Sequence, residues 1–169
     1  MTVAESATIK LYSRDGLVYI PTILATVDGV LYDAAPVQVM DVSDRSGIAK
    51  VIERELTSGN KRVPRPNWDA LPPWPLLEAA GVKLKARFHE GAALYAVMVR
   101  GGKYSHGWWT PDLPEGWLAR GPYVEEVPVE TISIGDLAQK AASRLADPPD
   151  AMVYRSAVRK PKHKGKGAR

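Results

Sequence analysis

The sequence predicts an α+β fold: an antiparallel sheet from two hairpins plus an edge strand, packed against two amphipathic helices, with a long Pro-rich loop. Three observations point to it. Runs rich in Val, Ile, Tyr and Thr are joined by Asp28-Gly29 and by Gly101-Gly102, dipeptides that accept the positive φ of a tight hairpin turn. Apolar residues recur at helical spacing from Ile48 to Leu56 and again from Ile134 to Leu145. Five prolines fall between Val63 and Pro75, and their fixed φ and missing N–H exclude a regular element there.

Taken in order, Thr8 to Gly16 reads as a strand in which Ile9 and Leu11 alternate with Lys10 and Tyr12, with Asp15-Gly16 as its turn. Strands over Leu17 to Val27 and Val30 to Val42 form an antiparallel pair, with Pro21 and Pro36 at an edge or a bulge, where no ladder hydrogen bond is needed. The period then changes to about 3.6, with Ile48, Val51, Ile52 and Leu56 on one face. Ser43 or Asp44 caps that helix and Gly59-Asn60 stops it. The Pro-rich stretch is an extended loop pinned by Trp68 and Trp74, followed by a short helix over 76–80 with Pro75 in its first turn. A second hairpin joins Ala92–Arg100 to Lys103–Thr110, and Tyr123 to Glu130 adds an edge strand marked by Pro128. The last helix runs from about Ile134 to Ala146, opened by Ser133 with Asp136 as a capping box and ended by Pro148-Pro149. The expected organisation is a single domain over 1–150 and a disordered basic tail over 151–169.

Composition narrows the function classes. A chain of 169 residues with 45% hydrophobic and 25% charged residues suits one globular core. The absence of cysteine excludes disulfides, thiolate nucleophiles and Cys-ligated zinc. No apolar run is long enough to span a bilayer, and the first ten residues lack a basic region leading into an apolar block, so a cytoplasmic protein without membrane contact is expected. The net charge of +4 is unevenly placed. Of the 23 Lys and Arg, seven (Arg155, Arg159, Lys160, Lys162, Lys164, Lys166 and Arg169) follow Tyr154, where there is no acid. The other 16 stand against all 19 acids, which leaves residues 1–154 at a formal −3.

No motif for chemistry stands out, and no cofactor, metal or catalytic residue is expected. His89 and His106 would have to converge to act as base or ligand. Neither has a partner at helical spacing, so both read as loop histidines, exposed or locally hydrogen-bonded. Gly101-Gly102-Lys103 lacks the spacing of a phosphate loop. Glu125, Glu126 and Glu130 read as a solvated edge strand, since consecutive strand residues face opposite sides.

The tryptophans are more informative. Trp68, Trp74, Trp108, Trp109 and Trp117 all fall in or beside loops, either packing on proline or forming a protein-binding surface. Trp108 and Trp109 must face opposite ways on a strand. The seven tail cations attract polyanions without sequence specificity, which makes RNA or DNA the alternative partner.

Gly59, Asn60, Val63, Pro64 and Pro66, then Ala80 to Lys83, Phe88, Gly91 and Ala92 form a GN-x-x-VP-x-P, AGVK, F-x-x-GA pattern over roughly residues 18–146. It resembles a family of small bacterial proteins, mostly without assigned function, except that Leu84-Lys85 stands where a Ser-Trp pair often follows. Some of that family are similar in size and composition to immunity proteins of bacterial toxin systems. That resemblance implies stoichiometric binding of a protein partner and carries over no catalytic residue.

Overall fold

A computed structural model describes residues 3–112, 116–118 and 124–155. Its α+β architecture matches the expectation. The sheet is built from β1 (Ser6–Arg14), β2 (Leu17–Thr26), β3 (Leu31–Asp41), β4 (Lys61–Val63), β5 (Ala93–Arg100), β6 (Lys103–Trp108) and β9 (Val124–Pro128). The order is β3-β2-β1-β5-β6-β9, antiparallel throughout except for β4, which pairs parallel with β2. A separate two-stranded ribbon joins β7 (Thr110–Asp112) to β8 (Gly116–Leu118).

The turn residues act as their chemistry requires. Asp15 and Gly16 both take positive φ (52° and 76°) and close β1 onto β2 at Arg14↔Leu17. Pro21 sits at the register shift of the β2–β3 ladder, and Pro36 lies on β3, the last strand of the sheet. β9 forms the opposite edge, as expected.

Two helices, α1 (Arg45–Ser58) and α4 (Ile134–Arg144), cover one face, where Ile48, Ile52, Leu56, Leu137 and Ala141 meet Ile9, Leu11, Tyr95 and Val97. Asp44 caps α1 by accepting from Gly47 N–H at 2.9 Å. Ser133 caps α4 by accepting from Asp136 N–H at 3.0 Å, and its hydroxyl donates to the Asp136 carboxylate at 2.6 Å. Gly59 stops α1 at φ 73°, where a Cβ would lie 3.2 Å from the Ala4 Cβ. The other face is partly covered by α2 (Pro75–Ala79) and α3 (Lys85–His89), through Leu76 and Phe88 packed on Tyr12, Tyr19 and Leu94.

The folded chain does not end at 150. Met152 and Tyr154 are buried, Tyr154 N–H donates to the Ala92 carbonyl at 2.7 Å, and Gly91 N–H donates to the Tyr154 carbonyl at 2.9 Å. The basic composition of the last segment hid two apolar side chains that finish the sheet beside β5. Its remaining cations, Arg159, Lys160, Lys162, Lys164, Lys166 and Arg169, lie outside the described residues.

Candidate functional site

The uncovered part of the second sheet face holds the candidate site. β1 pairs with β5 from Ser6↔Arg100 to Ser13↔Ala93, but with β2 only over Tyr12, Ser13 and Arg14. Beyond that point β2 departs and pairs with β4 instead, through Leu24↔Lys61 to Thr26↔Val63. Asn60 bridges the opening. Its side-chain carbonyl accepts from Thr8 N–H at 2.7 Å and its amide donates to the Thr8 carbonyl at 2.8 Å, so one side chain substitutes for a strand residue.

A trough of about 580 Å³ results. Thr8, Met98 and Ser105 form its floor, cross-strand neighbours on one face. Val27 and Leu31, at the tip of the β2–β3 hairpin, form an apolar lip, 69% and 39% exposed. Arg62, Arg100 and Lys103 line it with positive charge, and none of them forms an ion pair among the described residues. Glu126 is its sole acid among the described residues.

The tryptophans divide by environment. The Pro-rich loop runs in step with the hairpin. Arg65 pairs with Asp28 at 3.6 Å, Trp68 meets Tyr32 edge to face at 5.5 Å, and Trp74 Nε1–H donates to Asp33 at 2.9 Å. Trp68 remains 38% exposed, whereas Trp74 is packed among Tyr12, Phe88 and His89. Trp108 and Trp109 do face opposite ways: Trp108 enters the main core against Tyr95, and Trp109 packs on the cluster around Phe88. At 3% exposure Trp108 offers no contact surface, because its ring fills the core between the sheet and the helices. Trp117 lies on β8, with its side chain outside the described residues.

Asp33 is a buried acid that sequence reasoning passed over. Its carboxylate accepts from Lys10 Nζ (2.7 Å), Tyr12 OH (2.9 Å) and Trp74 Nε1–H (2.9 Å), with only 5% of the side chain exposed. Burial, and then the adjacent carboxylate, push the Tyr12 hydroxyl well above its ordinary pKa. The signal was an acid set among alternating apolar residues of a predicted strand.

The histidines do not converge. His106 is not a loop residue: it lies on β6 facing α4, 1% exposed, with Nδ1 2.8 Å from Tyr95 OH. His89 closes α3 on the other face, against Trp74 and Tyr154. Burial lowers the pKa of both rings. Glu125 is likewise more than a solvated edge residue. It accepts from Lys140 and Arg144, each at 2.7 Å, and these bonds, Lys140's first, bring its pKa down to about 2. Its Oε2 lies 3.8 Å from His106 Nε2, and the arrangement fastens β9 to α4. Among the described residues no group of three or more His, Asp or Glu could hold a metal ion, and no helix is long and apolar enough to cross a membrane.

No protein-family model matches this chain, and no curated protein matches it. Solved structures do. A protein of unknown function from Neisseria meningitidis is similar at a TM-score of 0.59 with 13% identity, covering 85% of this chain and 99% of that one. A chain of the CdiA-CT/CdiI toxin and immunity complex from Yersinia pseudotuberculosis is similar at a TM-score of 0.57 with 13% identity, covering 86% of this chain and 97% of that one. At such identity the likeness is one of fold.

Proposed function

We propose that this chain is a non-enzymatic protein-binding module of the immunity type, a stoichiometric inhibitor that covers part of a partner protein in the cytoplasm. The observation that carries the reading is the exposed apolar hairpin tip, Val27, Val30 and Leu31, at 69%, 43% and 39% exposure, beside the cations Arg62, Arg100 and Lys103 of the trough. A rigid apolar centre within a polar rim is how protein interfaces are built. Trp68 is the tryptophan we assign to direct contact, while Trp74 and Trp109 pack in the second core around Phe88. The shared fold with a chain of a toxin and immunity complex supports the same reading. Co-expression with toxin domains encoded beside its gene tests it. The wild type should protect growth and co-elute one to one with a toxin, and Val27→Asp with Leu31→Asp should abolish both while the melting temperature is kept. Protection unchanged by those substitutions, or a turnover activity in the purified chain, would refute it.

The seven cations that follow Tyr154 favour a second reading, an accessory protein that holds RNA or DNA through its tail. Removing residues 155–169 should then abolish retention of oligonucleotides and its salt dependence. Undiminished retention would reject it.

A further inference from the structure

We infer that the trough between the β2–β3 hairpin and β9 receives an extended acidic segment of the protein partner. This deepens the immunity-type reading, on which it rests, by giving the chemistry of what is bound. The charge on the trough is opposite to that of the domain as a whole. Residues 1–154 carry a formal −3, yet Arg62, Arg100 and Lys103 converge on this strip and none is neutralised by a neighbouring acid among the described residues. Several cations elsewhere on the sheet and its helices are paired: Lys10 with Asp33, and Lys140 and Arg144 with Glu125. Unspent positive charge gathered in one concave strip attracts negative groups and sets their register more than it adds raw affinity.

The rest of the lining selects a peptide over a nucleic acid. The lip and floor offer Val27, Leu31 and Met98, which suit aliphatic side chains, and the hydroxyls of Thr8 and Ser105 suit a peptide backbone. Among the described residues no aromatic ring lines the trough on which a base could stack. The trough runs from β2 over β4, which stands between β2 and β1 here, and on across β1, β5, β6 and β9, five steps of about 4.8 Å, so an extended segment of about seven residues would fill it.

Fluorescence anisotropy of the full chain with a labelled peptide of about twelve residues, built from repeating Asp-Glu-Leu, tests this. Binding should weaken as salt is raised. Arg100→Glu with Lys103→Glu, both at the exposed β5–β6 turn, should weaken it about tenfold with the melting temperature retained, as two or three lost ion pairs would. Glu126→Lys should tighten it about threefold, and this second variant keeps the test open if the first does not fold. Affinity no greater than for an Asn-Gln-Leu peptide of equal length, or affinity unmoved by either substitution, would overturn the inference. Tighter, trough-dependent binding of an oligouridylate of similar length would overturn it in favour of nucleic acid. Failure here with growth protection intact removes only the trough assignment. Loss of protection with peptide binding intact removes the immunity-type reading instead.

Discussion

On the sheet face beneath α1 and α4, the inward residues of β1 and β5 (Ala7, Ile9, Leu11, Ala93, Tyr95, Val97 and Val99) are no more than 3% exposed. On the opposite face the same two strands change character along their length. Tyr12 and Leu94 meet Leu76 and Phe88 at one end, and Thr8, Met98 and Arg100 line an open trough at the other. One face is wholly committed to stability, while the second is divided between packing and surface. The division follows the covering elements, since two longer helices span the first face and, among the described residues, the helices on the second are the short α2 and α3.

The largest expected effect falls on the committed face. Leu137→Ala should destabilise the protein by about 2–5 kcal/mol, because its side chain is fully buried and truncation leaves a cavity, whereas Met98→Ala in the trough should cost under about 1 kcal/mol. Urea denaturation of both variants measures the contrast, and equal losses would break the comparison of the faces.

Next comes Asp33→Ala, which leaves Lys10 without its counter-ion and Tyr12 OH and Trp74 Nε1–H without their acceptor, at a cost of about 2–4 kcal/mol. Trp74 emission should shift with it, and an unchanged midpoint would remove Asp33 from the second core. Asn60→Ala opens two hydrogen bonds to Thr8 and should cost about 1–3 kcal/mol; faster hydrogen exchange at the Thr8 amide is the local readout.

The smallest effect is the pH dependence. Burial depresses the pKa of His106 and His89 in the folded state, so their neutral forms fit the fold, and stability present above the unfolded value of 6.5 is lost as pH falls below it. Glu125 acts in the same direction lower down, between its ordinary 4.5 and about 2. Because its side chain is 38% exposed, its share is under about 1 kcal/mol after solvent screening. Melting temperatures of the wild type and His106→Phe from neutral to mildly acidic pH should converge on acidification. A constant gap would show that His106 does not titrate with unfolding.

Local chemistry made much of the fold legible. The hairpin turns, the caps at Asp44 and Ser133, and the stop at Gly59 depend on residues within a few positions of one another, and each forms where the sequence placed it. In sequence Asn60 reads as part of a helix stop, but its amide completes a sheet across a separation of 52 residues, which no local pattern encodes. Trp68, Trp74 and Trp108 look alike in sequence as aromatics beside loops, yet one is partly exposed on Tyr32, one anchors a buried carboxylate and one is core.

What the sequence alone determined is the set of elements and their inward faces, because turn chemistry and hydrophobic period act over a few residues. What only the tertiary structure decided is which strands leave a gap, which cations gather beside it unpaired, and which acids are buried. Those depend on strands distant in the chain coming side by side: β2 departing from β1, and Arg62, Arg100 and Glu126 meeting across a surface that exists only once the sheet has closed.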